Sequence, residues 1–354
     1  MPGKDTVGLD FIDNFLVVGS DPMEPLDNMI DRITIEQIGG LTAFDRAIAS
    51  PGISVWDGVG KSSLFAALCF PQLVARGASH LSQLLTTSPG PSGTGQLGIR
   101  LSYRSAGERY LYGLSVAYDA RTAAYHLFSE NLQVGDALNI RREASRLTEY
   151  VDQKQVCQWE APPDSFFLSS SPATARHAQI VRARNALANM FFLRPEPRMM
   201  MTVVDTSAPL QSDCSNFVGW LFAFLSTNPT AYTHLDNALT RIFGGPVVVK
   251  TPVDSMGMRH FRVQLPNGRG ELPFHYLADH EKLSFVVAAV CMFNRYAPGT
   301  VCVWDNFEQL FIKANAKTCW SCLWDHFSAT GQLIGLCPHR HIPAEIGNPK
   351  FEWI

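Results

Sequence analysis

The chain has 354 residues, more than one small domain usually holds, and this length predicts one large domain with an insertion, or two lobes. Hydrophobic residues make up 46% of the chain and charged residues 17%, a balance that excludes disorder for most of it. The formal net charge is −3, so no overall basic field recruits nucleic acid, and any such binding needs a local patch.

The most apolar segment is too short to cross a bilayer. It covers only residues 283–293, whereas a transmembrane helix needs about 20 residues, so no membrane association is expected. The N-terminal residues are partly acidic and lack the pattern of a secretory leader, which predicts a cytoplasmic protein. The eight cysteines are irregularly spaced and are interpreted as reduced core thiols.

The first third of the chain predicts strands around one helix. Residues 1–31 have no periodic pattern and are interpreted as an N-terminal extension. From Ile33 we expect one strand, a short connection, a second strand ending near Val55, a turn, and a helix from about Lys61 that Pro71 kinks or ends. Residues 97–128 then alternate with period two, which predicts an antiparallel meander.

The rest of the chain predicts a helical part followed by alternating helices and buried strands. A polar stretch over residues 141–171 leads into helices, and short strands follow near residues 247–250 and 260–265. Residues 280–294 and 307–327 predict helices, and residues 300–305 and 332–339 predict buried strands. Such alternation implies a parallel sheet covered on both faces, with ligands at the carboxyl ends of its strands.

A glycine-bearing segment between the predicted strand and helix is typical of a phosphate-binding loop. Residues 55–62 read VWDGVGKS and match the pattern G-x-x-x-x-G-K-[ST], except that Val55 replaces the first glycine. The lysine can reach the outer phosphates of a nucleotide, and the serine after it can ligate Mg²⁺. An ordinary strand-to-helix turn is the alternative. The predicted cofactor-binding residues are Gly58, Val59, Gly60, Lys61, Ser62 and Ser63.

A second apolar strand, in the segment VCVWDNFE, ends in Asp305, which is predicted to hold Mg²⁺ opposite Ser62. A hydrolase of this type would carry a water-activating Glu at the next position, where Asn306 stands instead. Because an amide cannot accept a proton at neutral pH, we expect hydrolysis to be slower by about 10² to 10⁴-fold. Glu308 is the alternative base.

Taken in chain order, these segments resemble the ABC-type ATPase heads of the SMC and RecF-like class. Within that class they resemble the stand-alone predicted-ATPase branch. The likeness runs from about residue 32 to 342 and includes SPGISVWDGVGKSSLFAAL, FLRPEPRMM, LPFHYLADHEKLSFVVAAV, VCVWDNFE and QLIGLCPHRH. It implies an α/β fold of the P-loop NTPase type with a mixed or parallel sheet, an antiparallel β lobe and a helical insertion. The implied parts are 1–31 (extension), 32–140 (phosphate loop and β meander), 141–230 (helical lobe) and 231–354 (remaining head motifs).

The resemblance also implies partners and roles. ATP with Mg²⁺ would be sandwiched in a head-to-tail homo- or heterodimer, between one subunit's phosphate loop and the other's signature motif. In that motif Ala278 removes a serine hydroxyl, and His280 stands where glycine is usual. His339 matches the switch histidine, so the implied catalytic positions are Asn306, Glu308 and His339. Such heads work with a nuclease or other effector, often in prokaryotic antiphage defence.

Several alternatives remain open at this point. The chain is either an ATP-binding subunit with slow or absent hydrolysis, a pseudo-ATPase scaffold, or a DNA-stimulated ATPase that uses Glu308. Two arginine groups are candidates for contacting DNA, although solvated arginines are the simpler interpretation; they are Arg176, Arg182, Arg184, Arg194 and Arg198, and Arg141, Arg142 and Arg146. A weaker hypothesis is a zinc site formed by Cys319, Cys322, Cys337, His339 and His341.

Overall fold

The computed structural model describes residues 28–38, 41–48, 51–57, 60–78, 81, 96–119, 124–162, 164–170, 178–202, 209–311, 315–337 and 352–353. The strands are β1 Met29–Ile38, β2 Leu41–Ala47, β3 Gly52–Asp57, β4 Gln96–Ser105, β5 Glu108–Asp119, β6 Ala124–Val134, β7 Leu138–Glu143, β8 Arg146–Val151, β9 Lys154–Glu160, β10 Phe191–Leu193, β11 Val248–Lys250, β12 Arg262–Gln264, β13 Leu272–Pro273, β14 Val301–Asp305, β15 Gln332–Cys337 and β16 Glu352–Trp353. The α-helices are α1 Lys61–Ala75, α2 Phe167–Ser170, α3 Ala178–Ala188, α4 Phe217–Thr227, α5 Ala231–Phe243, α6 Asp279–Tyr296 and α7 Ala316–Thr330, with 3₁₀ turns at Pro197–Met199, Phe274–Tyr276 and Phe307–Phe311.

An eight-stranded antiparallel sheet forms the first layer, in the order β2-β1-β4-β5-β6-β7-β8-β9. Its central strands alternate, so that one face is apolar and buried while the other carries polar side chains. The buried face includes Leu97, Ile99, Leu101, Tyr103, Tyr110, Tyr112, Leu114 and Val116. Helices α1 and α3 belong to the same hydrophobic cluster as this face, which explains why it is closed to solvent. The predicted meander is confirmed and is longer than expected.

A five-stranded parallel sheet forms the second layer, in the order β10-β14-β15-β3-β16. Its inner strands β14 and β15 are buried at every position, because alternate residues face two different cores. Val301 and Val303 belong to the cluster that contains α1, whereas Cys302 and Trp304 belong to the cluster formed with α4, α5, α6 and α7. The α/β fold class, with a doubly covered parallel sheet and an antiparallel lobe, is therefore confirmed.

Three details of the predicted elements were wrong. The chain before α1 forms three strands rather than two, and β1 already begins at Met29. Residues 141–160, assigned to a polar, helical part, complete the antiparallel sheet as β7, β8 and β9. The alternation was hidden because the inward position of β7 holds Arg142, which donates hydrogen bonds to the carbonyl oxygens of Ala144, Ser165 and Pro162.

Helix boundaries differ in two places. Pro71 does not end α1, which continues through Ala75 with Pro71 buried in its interior. The single helix expected over residues 307–327 is a 3₁₀ turn, Phe307–Phe311, and the separate helix α7. The turn packs Phe307 against Gly335 of β15 so closely that a Cβ atom there would lie 2.5 Å from the Phe307 ring. Among the described helices, none is both long enough and apolar enough to span a membrane.

Candidate functional site

The N-terminus of α1 lies at the carboxyl end of the parallel sheet. β3 ends at Asp57 and α1 begins at Lys61, with Gly60 as the N-cap residue at φ 91° and ψ 9°. Glycine adopts this left-handed backbone without the steric penalty of a Cβ atom, and a Cβ here would meet Leu41 at 3.3 Å. The predicted strand and helix are present, while Gly58 and Val59 of the turn between them lie outside the described residues.

Lys61 joins the two segments that the sequence singled out. Its Nζ atom donates a hydrogen bond of 2.7 Å to Oδ1 of Asn306. The same amine lies 3.8 Å from Oδ1 of Asp305 and 4.0 Å from Oε1 of Glu308. One cation therefore faces two carboxylates and one amide from the end of β14. Ser62, by contrast, is exposed at the protein surface, and Ser63 is half-buried.

Asp305 is a buried carboxylate whose charge is compensated. Its side chain is 2% exposed, and Arg194 donates from Nε to Oδ2 at 2.7 Å. The backbone N–H of Asn306 donates to Oδ1 at 2.9 Å. The Arg194 guanidinium also lies over the Phe65 ring, 4.7 Å from its centroid, which holds it in place by cation–π attraction. Such pairing is what allows a charge to remain buried.

Asn306 has a backbone conformation that few residues tolerate. Its φ is 57°, in the left-handed region that favours glycine and, among other residues, asparagine. The turn directs its side-chain oxygen onto Lys61. An asparagine at this position therefore satisfies a backbone requirement as well as holding the lysine.

Glu308 carries an unsatisfied oxygen atom. Its Oε1 faces Lys61, whereas Oε2 is buried without a hydrogen-bond partner among the described residues. An unpaired buried acceptor costs about 1 to 3 kcal/mol, a cost that a bound ligand or water would remove.

The donor set fits a nucleotide and its metal. Asp305 and Glu308 offer the hard oxygen ligands that Mg²⁺ prefers, and a metal-bound water would satisfy Oε2 of Glu308. Lys61 and the N-terminus of α1 offer positive charge to phosphate oxygens. The ion pair of Arg194 with Asp305 occupies one carboxylate oxygen, so metal binding there competes with Arg194 for Oδ2.

A cavity of about 450 Å³ adjoins this cluster on the side of Asn306. It separates Asn306 from the N-terminus of α6, and its lining includes Pro195, Pro197, Asp279, His280, Asn306 and Gln309. The α6 N-terminus is capped within the chain, because the backbone N–H of Ala278 donates to Oε2 of Glu281 at 2.8 Å. Glu281 also pairs with Arg269. Ala278 and His280 thus lie at a helix start, as the resemblance to a signature motif implies.

Other sequence expectations have mixed outcomes. His339 and His341 lie outside the described residues, so the switch histidine keeps its status as a prediction. Arg194, predicted above as one of the arginines that are candidates for contacting DNA, is a partner of Asp305. The signal that was missed is an arginine directly after the buried strand β10, at the same sheet edge as Asp305.

The remaining arginines of those two groups that the structure describes include both exposed and buried side chains. Arg182 is exposed and lies 3.7 Å from Oε2 of Glu108, whereas Arg142 is buried. Of the cysteines proposed as zinc ligands, Cys319 and Cys322 lie on α7 and Cys337 ends β15. The structure groups Cys322 instead with Cys291 and His326.

No protein-family model matches the sequence, and no curated protein matches it. Among solved structures, the chain is similar to an SMC head bound to the C-winged helix domain of ScpA, at 11% identity over 89% of this chain and 91% of that one, with a TM-score of 0.48. It is similar to an Smc head with an extended coiled coil bound to the C-terminal domain of ScpA derived from Pyrococcus furiosus, at 11% identity over 90% and 92%, with a TM-score of 0.47. It is also similar to the recombination mediator protein RecF-ATPrS of the RecFOR pathway, at 7% identity over 90% and 95%, with a TM-score of 0.48. At identities and scores of this size, function has to be argued from the site residues.

Proposed function

We propose that this chain binds ATP with Mg²⁺ at the carboxyl end of its parallel sheet and hydrolyses it slowly or not at all. The observation that carries the proposal is the convergence of Lys61, at the N-terminus of α1, with Asp305, Asn306 and Glu308. In the proposed complex Lys61 would bind the outer phosphates in place of Asn306, and Ser62 and Asp305 would hold the metal. Mg²⁺ would neutralise phosphate charge there.

Slow hydrolysis follows from the chemistry of Asn306. The amide occupies the position after Asp305, and because an amide does not accept a proton at neutral pH, it offers no base to a water molecule. A site that keeps cation and metal ligands but lacks a base favours a long-lived nucleotide complex.

Nucleotide-dependent thermal stabilisation tests the proposal. Mg-ATP at about 100 times its dissociation constant adds about 2.7 kcal/mol to the free energy of unfolding and raises the unfolding midpoint. Lys61→Ala is expected to lose this rise, whereas Lys317→Ala, at an exposed lysine of α7, keeps it. If the wild-type midpoint does not move, the chain is the pseudo-ATPase scaffold, with Lys61 serving only to neutralise Asp305 and Glu308.

A second candidate function is a DNA-stimulated ATPase that uses Glu308 as the base. The unpaired Oε2 atom of Glu308 favours it, since that oxygen is free to accept a hydrogen bond from water. Phosphate release that DNA stimulates, and that Glu308→Gln removes but Glu160→Gln does not, would support this function. Phosphate release at the background rate in the presence of DNA would exclude it.

The sequence resemblance supports a wider role for the proposed site. In that role two heads, identical or different, dimerise around ATP in a larger complex with an effector such as a nuclease, in prokaryotic antiphage defence. Molar mass measured by light scattering with and without Mg-ATP tests the dimer. A mass that stays at the 39.2 kDa of one chain in saturating Mg-ATP would contradict homodimerisation.

A further inference from the structure

A cluster of three metal-binding side chains lies away from the proposed nucleotide site, between α6 and α7. Cys291 belongs to α6, and Cys322 and His326 belong to α7. The two thiol sulfurs and one ring nitrogen of the histidine all lie within 4.8 Å of one another. Cys322 and His326 are one helical turn apart, a spacing that puts both side chains on the same face of α7.

A hydrogen bond to the backbone fixes the tautomer of the histidine. Nδ1 of His326 lies 2.7 Å from the carbonyl oxygen of Cys322. Because a carbonyl oxygen can only accept, Nδ1 carries the proton, and in the neutral ring Nε2 has a free lone pair. Histidines that bind metals usually donate their other ring nitrogen to a backbone carbonyl or carboxylate in this way, which fixes the tautomer.

Cysteine sulfur is a ligand type that a soft or borderline metal such as Zn²⁺ prefers. Both sulfurs belong to fully buried residues, while His326 is half-buried. A metal ligand must be deprotonated, so Zn²⁺ binding would release a proton from each thiol.

We infer that α6 and α7 hold a Zn²⁺ ion between Cys291, Cys322 and His326, with a fourth position open to solvent on the side of His326. Tetrahedral Zn²⁺ has bonds of about 2.3 Å to sulfur and 2.0 to 2.1 Å to nitrogen, so its ligand atoms lie somewhat less than 4 Å apart. The two sulfurs and the ring nitrogen, which lie within 4.8 Å of one another, would need to approach each other by up to about 1 Å through side-chain rotation. The ion would join two central helices of the second core.

Metal content of the full chain tests this inference. The protein is stripped with a chelator, incubated with Zn²⁺ or Co²⁺ alone, passed through a desalting column, and measured for bound metal. We expect about one ion per chain for the wild type, bound by two thiolates and one imidazole. Co²⁺ adds a thiolate-to-metal charge-transfer absorption that reports ligation by sulfur.

Matched variants separate the cluster from general cysteine chemistry. Cys291→Ser, Cys322→Ser and His326→Ala are expected to lose the bound ion and the charge-transfer band. Cys319→Ser should retain both, because Cys319 lies one turn before Cys322 on α7, is equally buried, and contacts Ser284 instead. His326 is half-buried, so its variant is expected to fold even if the buried cysteine variants do not.

Three results would overturn the inference. One is a wild-type chain that retains no metal, and another is a His326→Ala variant, folded by circular dichroism, that binds as much metal as the wild type. The third concerns a disulfide between Cys291 and Cys322, which would appear as two fewer titratable thiols. If a reductant restores these thiols but the chain still takes up no metal, the inference is overturned.

Discussion

Nε of Arg194 lies 2.7 Å from Oδ2 of Asp305, so a guanidinium from the end of β10 neutralises a carboxylate at the end of the neighbouring strand β14. Lys61 approaches the other oxygen of the same carboxylate at 3.8 Å. Asp305 therefore has two cationic neighbours in a place where the proposed function requires it to bind a metal ion. Binding of Mg²⁺ and the ion pair with Arg194 compete for the same oxygen.

Substitution of Arg194 by methionine tests this competition. Arg194→Met leaves Asp305 buried beside Lys61 alone, and we expect a loss of about 1 to 3 kcal/mol in the free energy of unfolding without metal. Mg²⁺ should then bind more tightly, so the midpoint rise produced by Mg²⁺ should be larger in the variant than in the wild type. Arg182→Met is the control, because its exposed pair with Glu108 is worth less than about 1 kcal/mol. An unchanged response to Mg²⁺ would show that Arg194 does not limit metal access.

Asn306 provides a test of why hydrolysis is expected to be slow. Asn306→Glu places a carboxylate after Asp305 and should raise ATP hydrolysis by about 10-fold or more, toward the 10² to 10⁴-fold range of general base catalysis. The gain is limited because φ at this position is 57°, where glutamate is less favourable than asparagine by about 1 kcal/mol. Release of phosphate is measured against Asn306→Gln, which has the same length and no base. Equal rates in the two variants would contradict the role assigned to this position.

The parts of the fold that were predictable are those in which side-chain pattern and burial agree. In the meander, alternation places Leu97, Ile99 and Leu101 on one buried face, and the structure has them there. β7 and β8 were missed because inward positions hold Arg142 and Glu149, and Arg142 is paired there with the carbonyl oxygens of Ser165 and Pro162, which come later in the sequence. A pattern of apolar residues cannot reveal a charge that is buried by pairing.

The same limit applies to the candidate site. Lys61 and Asp305 were predictable because each follows a buried strand and precedes a helix or turn, and strand ends meet at one edge of a parallel sheet. Arg194 was not predictable as the partner of Asp305, because β10 is only three residues long and its pairing with β14 is known only from the tertiary structure. Likewise, nothing in the sequence relates Cys291 to His326 until α6 and α7 are packed together.

Gly335 should be intolerant of any side chain. It lies in β15 between Val55 of β3 and Trp304 of β14, and an added Cβ would come within 2.5 Å of the Phe307 ring. Because Phe307 is fully buried and leads into the turn that carries Glu308, Gly335→Ala should cost about 1 to 3 kcal/mol of stability. Chemical denaturation of this variant is compared with Gly270→Ala, where a Cβ meets nothing within 4 Å. Equal denaturation midpoints for the two variants would mean that the Phe307 ring moves aside with no loss of stability.

Glu130 should make stability depend on pH. Its side chain is fully buried under the antiparallel sheet, where it accepts hydrogen bonds from the Tyr112 hydroxyl and from the backbone N–H groups of Phe167 and Leu168. Burial raises the pKa of Glu130 from 4.5 to about 7, although these hydrogen bonds oppose the shift. A carboxyl whose pKa is higher in the folded chain stabilises the fold below the unfolded pKa and loses that contribution as pH rises through the folded pKa.

We therefore expect the Glu130 contribution to the free energy of unfolding to fall between about pH 4.5 and pH 7, by up to about 3 kcal/mol, and to level off above that range. Glu130→Gln has no proton to lose, so the difference in stability between wild type and variant should shrink or reverse over this interval. At acid pH the variant is expected to be less stable than the wild type, because the amide nitrogen of glutamine cannot accept the hydrogen bond that the Phe167 backbone N–H donates. Urea denaturation at pH 4.5, 5.5, 6.5 and 7.5 measures the difference, with Glu143→Gln, an exposed position on β7, as the control. A wild-type-minus-variant difference that stays constant across the series would show that Glu130 is already ionised in the folded protein at acid pH.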